Sequence, residues 1–419
     1  MVVSSGPVPA AIQAQRSEHL NKLTRGPTGL PTIDAALQNT NFPFIESCTQ
    51  MVNAQKHGVV KIRNIPFNTQ RSEIIAFLGR NSKILNDAME PIHIIMERVT
   101  SKTQDVYVEF MSLHDAMRAV ERHNGTGTNK QGARLARLGE RPVEIELSSQ
   151  SALMKDLFPL AFGVFWDGPQ PVVQPKIAGE PWNHFKGFVT EEEMIMLVKH
   201  VEIPSRSPFS RECPQRPYEC MISTIKKLPW HMADCITVRQ RHAVYQATIE
   251  LIQLLIGILG KDTQYRHYHE NTLNLQLLKR LVTAAMLCPG FSVLQKDNVA
   301  YIAELSEYQI RQFNQPRFAD LWTHQLTLCP RPGIPLDVLE WYIAIIREES
   351  IRKAENSPLV ERAHIKDFRA NSNGYFGFLG YETRFPTGRD YDNLTLKDAA
   401  AMELRAIENI LYRAFGGGN

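Results

Sequence analysis

The sequence predicts an α+β protein in which a small βαββαβ unit is followed by a larger all-α domain. Residues 59–67, VVKIRNIPF, and residues 102–110, KTQDVYVEF, each alternate apolar with polar side chains. A period of two with one apolar face indicates a half-buried strand. Residues 71–78 lie between them and repeat apolar side chains at helical spacing. From residue 182 onward the apolar spacing is helical and the connections are short, which favours an all-α domain.

The first predicted helix, residues 71–78, has a start and a stop signal. Thr69 is placed to cap its first turn and Gly79 to end it. Ser112 is the predicted N-cap of a second helix, whose apolar side chains share one face. The other predicted elements are that helix at residues 113–122 and strands at residues 92–97 and 142–147. The order β-α-β-β-α-β predicts a small sheet with both helices on one side.

The order and spacing of these strands resemble an RNA recognition motif. VKIRNI stands where that family has its hexamer signature, and TQDVYVEF stands where it has its octamer signature. VVKIRNIPF is also similar to the first strand of the quasi-RNA-recognition motifs of the heterogeneous nuclear ribonucleoprotein H and F family. The resemblance covers residues 58–149. It implies a ferredoxin-like domain at residues 57–150 and binding of single-stranded RNA.

The sequence departs from the RNA recognition motif on the open face of the sheet. Bases stack there on aromatic rings, but Lys61 replaces the hexamer aromatic and Asp105 replaces the first octamer aromatic. Tyr107 alone remains of the three. The alternation places further charged residues on the same face, namely Arg63, Glu109, Glu144 and Glu146. Carboxylates repel phosphate, so this face is a poor stacking platform.

The loops at the rims of the sheet are better candidates for RNA contact. The quasi-motifs named above bind RNA through such loops, which is what the resemblance implies here. Residues 124–141 are basic, with Arg141 at their end and Glu140 as the one acidic residue. The main contacts are expected from Phe67, Arg71, Arg98 and this basic stretch, with Tyr107 secondary. The complete set of candidate RNA-binding residues is Lys61, Arg63, Phe67, Arg71, Arg98, Lys102, Tyr107, Lys130, Arg134 and Arg137.

Each of these residues also has a structural interpretation. Tyr107 would equally suit packing beneath a flanking segment, and Phe67 would suit the core of its domain. The charged face could carry cross-strand ion pairs in solvent. The basic stretch contains glycines, which also fits an ordinary flexible loop. The sequence leaves these alternatives open.

Composition limits the class of protein. The net charge of +3 over 419 residues excludes a polycation that binds nucleic acid along its whole length. The 6 cysteines are scattered, which predicts a reducing compartment, the nucleus or alternatively the cytoplasm. The longest apolar run, residues 247–259, is interrupted by Glu250 and Gln253 and is too short for a bilayer, so no membrane is expected. The N-terminus lacks the pattern of a secretory signal.

The remaining segments have distinct patterns. Residues 1–56 are predicted to be a mostly disordered leader with a short helix near 42–56. Residues 151–181 are an apolar and proline-rich strap, which covers the sheet or docks on the C-terminal region. Residues 182–415 form the predicted helical domain, whose Gly-aromatic loop at 371–385 either returns its rings to the core or docks a partner. The helices predicted there span residues 190–201, 218–227, 235–259, 273–287, 336–353 and 394–415.

No catalytic motif was found. Phosphate loops, dinucleotide turns, HExxH and Gly-x-Ser-x-Gly are not present in the sequence. The spacing of Cys213, Cys220, His231 and Cys235 fits no zinc module that we can name. We therefore expect no enzyme, no cofactor and no metal. The favoured function is recognition of single-stranded RNA in mRNA processing or ribonucleoprotein assembly, with protein partners on the helical domain. The alternative is an interaction scaffold whose degenerate motif binds a peptide or helix.

Overall fold

The computed structural model describes residues 6–50, 57–124, 136–176, 179, 181–260, 272–370 and 374–416. The chain divides into two compact units. The first consists of Met1–Met51, His231–Arg239 and Pro289–Asn419, and the second of Val52–Trp230 and Gln240–Cys288. The predicted division into a leader, a small domain and one helical domain therefore does not describe these units.

The N-terminal segment is folded, so the prediction of a mostly disordered leader was wrong. It contains helices α1 (Ala10–Gln13), α2 (Glu18–Leu23) and α3 (Ile33–Leu37) and strand β1 (Phe44–Glu46). The helix predicted near residues 42–56 is instead β1 and a 3-10 turn, Ser47–Gln50, while residues 51–56 lie outside the described part. The prediction failed because a few apolar side chains, such as Leu20 and Phe44, are buried in the core of the first unit.

The second unit begins with the predicted βαββαβ order. Its strands form one antiparallel sheet, with β4 and β2 in the centre and the other two strands at the edges. A small hairpin, β5 with β6, precedes the last strand of the sheet. The elements are β2 (Gly58–Arg63), α4 (Arg71–Leu78), β3 (Ile92–Met96), β4 (Thr103–Phe110), α5 (Leu113–Asn124), β5 (Arg137–Leu138), β6 (Arg141–Pro142) and β7 (Glu144–Ser148).

One face of this sheet packs on α4 and α5, as the alternation predicted. Val60, Ile62 and Val108 are fully buried in this core. At Gly58 any side chain would collide, since a Cβ atom would lie 2.8 Å from the Cβ of Ala116. The cap of α4 differs from the prediction, because Gln70 rather than Thr69 is the N-cap and forms a capping box with Glu73.

Further helices belong to the same unit as the sheet. The Thr190 N-cap of α7 was predicted and forms a capping box with Glu193. Helix α9 packs against β3, α6, α7 and α11. The elements are α6 (Gln150–Leu157), β8 (Val164–Asp167), β9 (Gln170–Val173), α7 (Glu191–Glu202), α8 (Pro208–Glu212), α9 (Arg216–Lys227), α10 (Val238–Gly260) and α11 (Leu275–Met286). The strap predicted at residues 151–181 is therefore mainly a helix and a hairpin, and residues 182–288 do not join one separate helical domain.

Helix α10 is the one described helix long and apolar enough to cross a membrane by length and composition. Its most apolar stretch is 44% buried inside the protein. Core helices of soluble proteins have the same length and composition, so this is weak evidence for a membrane span.

The rest of the first unit is mainly helical. Its core surrounds Trp322, Tyr342 and Ile407, and β10 pairs with β1. In the Gly-aromatic loop, Phe376 and Phe378 are buried, which favours the interpretation that the loop returns its rings to its own core. Residues 371–373 lie outside the described part. The elements are α12 (Val293–Ile302), α13 (Glu307–Gln312), β10 (Leu328–Pro330), α14 (Leu336–Asn356), α15 (Leu359–Ala370), α16 (Leu379–Thr383), α17 (Arg389–Asp392) and α18 (Leu396–Phe415).

Candidate nucleic-acid interface

The second face of the sheet, where RNA recognition motifs stack bases, is covered by α6 and α9. The strand register places Tyr107 between Lys61 on β2 and His93 on β3. Tyr107 is only 1% exposed, and its hydroxyl donates to Asp156 of α6 at 2.6 Å. The Nδ1 of His93 lies 3.0 Å from the hydroxyl of Ser223 on α9. No base can reach Tyr107 while these helices are in place, so its prediction as an RNA contact was wrong.

Lys61 is also unavailable to RNA, because its ammonium is bound by other groups of the protein. Its ammonium lies 3.1 Å from both Asp105 and Asp156, and it is 4.9 Å from the centre of the Tyr107 ring. Burial lowers the pKa of Lys61, but hydrogen bonds to Tyr107 and the two carboxylates outweigh it and raise the pKa. Burial together with the bond to Asp156 raises the pKa of Tyr107 to about 12. Lys61 therefore stabilises the covered face and was wrongly predicted as an RNA contact.

A buried charged network continues across this face. Glu109, 1% exposed, lies 2.5 Å from the ammonium of Lys227 on α9 and 3.2 Å from the Nε2 of His93. Gln150 of α6 donates to its second oxygen at 3.3 Å. Burial raises the pKa of Glu109, but Lys227 and the His93 hydrogen bond outweigh it and hold the pKa well below its usual value. Burial also lowers the pKa of His93, against the opposing effect of Glu109. Glu109, one of the acidic residues predicted to repel RNA here, instead binds the covering helices α9 and α6.

Arg98, predicted as an RNA contact, is a buried structural residue. It lies in the loop between β3 and β4 and is 6% exposed. Its guanidinium pairs with Glu193 of α7 at 2.5 Å. It also donates to the carbonyl of Leu157 at 2.9 Å and to the hydroxyl of Thr224 at 3.1 Å. Arg98 thus joins α6, α7 and α9 to the sheet, and the prediction was wrong because the sequence does not show which helices surround this loop.

Arg71 also has acidic partners within the protein. Its guanidinium pairs with Asp87 and lies 3.9 Å from Glu90, and its side chain is 12% exposed. Glu90 in turn accepts two hydrogen bonds from the Nε and Nη2 of Arg280, at 2.9 and 2.7 Å. Arg71 therefore belongs to an ion-pair cluster with α11, and its role as a principal RNA contact stays a prediction.

An aromatic and cationic surface remains exposed at one rim of the sheet. Phe67, in the loop after β2, is half-buried. The Lys102 ammonium lies 5.7 Å and the Arg141 guanidinium 5.8 Å from the centre of its ring. Lys102 and Arg141 are exposed, and neither has a carboxylate within 4.0 Å in the described part of the chain. We call Phe67, Lys102 and Arg141 the rim site.

The other predicted residues lie near this rim or outside the described residues. Arg63, half exposed, pairs with Glu146 at 2.8 Å. Arg137 is exposed and donates to the carbonyl of Glu140 at 3.2 Å. Lys130 and Arg134 lie outside the described part of the chain. The structure therefore brings together Phe67 and Lys102 of the predicted set.

Two residues at the rim were not in the residue-by-residue list of candidate contacts. Arg141 was visible as part of the basic stretch, and its side chain is fixed by hydrogen bonds to the Asn64 side-chain oxygen at 2.6 and 3.1 Å. Asn64 has the left-handed φ of 59°, which asparagine tolerates better than most residues. Phe209 of α8 contacts Phe67, with ring centres 5.0 Å apart. Nothing in the sequence placed α8 beside this loop.

Comparisons with known proteins give limited matches. Residues 56–168 match a family described as a domain of unknown function (DUF8400), and residues 185–305 match another so described (DUF8399). No curated protein matches the chain. The crystal structure of the Glorund qRRM2 domain is similar at 24% sequence identity, over 24% of this chain and 98% of that chain, with a TM-score of 0.20. The resemblance to the heterogeneous nuclear ribonucleoprotein H and F family stays a prediction.

Proposed function

We propose that this protein binds single-stranded RNA at the rim site, without catalysis. The observation that carries the proposal is the half-buried ring of Phe67 beside two cations that have no carboxylate partner in the described part of the chain. An aromatic ring offers a stacking surface to an unpaired base, and neighbouring cations bind the flanking phosphates. This is the loop-based contact that the sequence resemblance implies, restricted to the rim residues that remain exposed.

The interaction free energies favour replacement of the cations on the Phe67 ring by an RNA base. A cation over an exposed ring contributes about 0.5–1 kcal/mol, whereas a base stacked on an aromatic side chain contributes about 1–3 kcal/mol. Lys102 and Arg141 are exposed, so an RNA phosphate can attract the Lys102 ammonium and can replace the Asn64 oxygen as acceptor for Arg141 while a base takes the Phe67 ring. The free protein therefore holds the Phe67 ring close to the two cations that bind phosphate before RNA binds.

The alternative function, a scaffold that binds a peptide on the sheet, has less support. Helices α6 and α9 already occupy that face, and Tyr107 and His93 are buried beneath them. A peptide would have to displace a buried charged network to bind there. Protein partners on other surfaces of the helical segments are compatible with RNA binding at the rim.

Titration of protein variants with one single-stranded RNA tests the proposal. Phe67→Leu keeps apolar bulk against Phe209 but removes the aromatic face. We expect it to weaken binding of a fluorescent single-stranded RNA by about 1–2 kcal/mol, roughly 5- to 30-fold, by fluorescence anisotropy. Lys102→Gln with Arg141→Gln should reduce the slope of log affinity against log salt by about 1.4, since each single-strand phosphate contact contributes about 0.7.

Arg118→Gln is the matched control. Arg118 is exposed on α5, which packs on the opposite face of the sheet. It removes one positive charge, as each of the two rim substitutions does, and should leave affinity and salt slope unchanged. Equal losses for Arg118→Gln and the rim variants would mean that binding follows net charge alone. No binding by the wild-type chain in dilute buffer would refute the proposed function.

The cellular role belongs to the same proposal. We propose mRNA processing or ribonucleoprotein assembly in the nucleus, or alternatively the cytoplasm. Crosslinking of the protein to RNA in cells, followed by sequencing of the bound RNA, would identify unspliced or mature transcripts. Exclusive recovery of mature cytoplasmic mRNA would contradict the nuclear assignment.

A further inference from the structure

Helix α8 brings a second aromatic ring to the rim site. Phe209 is half-buried, and its ring plane is inclined at 68° to that of Phe67, with the centres 5.0 Å apart. The two rings therefore form a corner rather than a parallel stack. Phe67 lies within residues 56–168 and Phe209 within residues 185–305, so each of the two matched segments supplies one ring.

The corner is held in place by bonds between α8 and the loops of the sheet. Ser207 donates to the carbonyl of Thr100 at 2.5 Å, which fixes the segment to the loop that contains Lys102. The thiol of Cys213 donates to the carbonyl of Phe67 at 3.0 Å. These bonds lie on both sides of Phe209 in the chain. Its ring is therefore preorganised, and little side-chain entropy is lost when a ligand binds.

Arg216 fixes the other side of the same loop. Its buried guanidinium donates to the carbonyl of Phe67 at 3.3 Å and to that of Thr69 at 2.6 Å. It also reaches the hydroxyl of Thr103 at 3.0 Å, next to Lys102. The loop that carries Phe67 and the start of β4 thus have a common support. The corner of the two rings therefore keeps a constant geometry.

We propose that Phe67 and Phe209 form an aromatic corner that binds one unpaired base of the RNA. The base stacks on the Phe67 ring and the Phe209 ring lies against its edge, while Lys102 and Arg141 hold the phosphates on either side. This inference rests on the proposed function and adds its ligand class, an unpaired nucleotide. A base within a duplex has both faces covered by its neighbours and cannot enter the corner.

The test uses the full chain and the same fluorescent single-stranded RNA. Phe209→Leu should weaken binding about three- to tenfold with the salt slope unchanged, because the lost ring carries no charge. Phe209→Tyr should bind within twofold of wild type, because it restores the ring. Arg211→Gln is the matched control, since Arg211 is exposed on the same helix two residues away, about 200° around its axis. Competition by a duplex of the same sequence should be weak.

A second measurement does not depend on substitution. RNA that carries 5-iodouridine in a single-stranded stretch should, after irradiation, form adducts with peptides that contain Phe67 and with peptides that contain Phe209, read by mass spectrometry. Binding of Phe209→Leu within twofold of wild type, with adducts at Phe67 alone, would overturn the corner and leave the proposed function intact. If neither Phe67→Leu nor Phe209→Leu weakens RNA binding, both the aromatic corner and the proposed function would be overturned.

Discussion

His93 and Glu109 show how the second face of the sheet serves as an internal surface of the protein. Both are buried, and Lys227 pairs with Glu109 at 2.5 Å. A buried charge is tolerated only when it is paired and hydrogen-bonded. The carboxylate has Lys227, His93 and Gln150 as partners, which meets that condition. At the scale of single residues, the polar side chains on this face bind helices of the same chain in place of phosphate.

The depressed pKa of His93 predicts a pH dependence of stability. The usual histidine pKa is 6.5, and burial lowers the pKa of His93 in the folded state. Below pH 6.5 the unfolded chain therefore binds a proton that folded His93 resists, and stability falls as the pH falls. The low pKa of Glu109 adds a further loss below about pH 4.5. Stability should be fully present above pH 6.5, as measured by urea unfolding between pH 5 and 8.

His93→Gln tests this assignment. It keeps a side chain that can hydrogen-bond but cannot titrate, so the loss of stability between pH 7 and 5 should be smaller than in the wild type. His114→Gln on the exposed face of α5 is the control, because His114 is in water in both states. An unchanged pH profile in His93→Gln would contradict the role assigned to His93.

At the scale of elements, α9 is the helix that decides what the sheet can do. Residues along its length are buried, from Arg216 in its first turn to Ile225 near its end. The helix lies against β3, and its Ser223 and Lys227 reach the network on the covered face. Helix α8, joined to it, carries Phe209 to the rim. Helix α9 therefore helps to cover the second face of the sheet, while helix α8 brings Phe209 to the rim site.

Arg216→Lys should separate the anchoring role of α9 from its charge. A lysine keeps the positive charge but cannot reproduce the fork that reaches Thr103 and the carbonyls of Phe67 and Thr69. Each buried acceptor left unsatisfied costs about 1–3 kcal/mol, so we expect a loss of about 2–4 kcal/mol in urea unfolding. Arg118→Lys on α5 should leave the urea midpoint unchanged. A midpoint for Arg216→Lys equal to wild type would show that this fork is not an anchor.

At the scale of the whole molecule, the βαββαβ part is not an independent domain. One sheet face packs on α4 and α5, and the other packs on α6 and α9. Cutting the chain after the last strand would place Tyr107, His93 and Ile95 in water. Exposed apolar surface of this kind promotes association.

A comparison of two fragments tests this. Residues 52–288, which contain the second unit and also His231–Arg239 of the first, should be monomeric and unfold cooperatively in urea. Residues 57–149 should bind the dye ANS and self-associate, as measured by fluorescence and sedimentation. Residues 57–149 that are monomeric and unfold at the same urea concentration as the longer fragment would contradict the inference.

The sequence predicted the parts of the fold that depend on local patterns. The strands around Val60 and Val106 and the helix at residues 71–78 follow from side-chain period and end signals. Phe67 and Lys102 could be identified as rim residues because each lies in a loop at the end of a strand, and such loops lie at the rim of a sheet. Arg98, Lys61 and Tyr107 could not be placed, since their exposure depends on helices more than 40 residues away in the chain, beginning with α6 at Gln150.

The amino-acid sequence alone therefore determined the βαββαβ order, the alternation of its two faces and the basic character of the rim, because these properties depend on neighbours a few residues apart. The tertiary structure alone decided which face is accessible, which arginines are buried and that Phe209 meets Phe67. Those properties depend on α6, α8 and α9 folding back onto the sheet. Such packing follows from the burial of many side chains at once, and no local pattern encodes it.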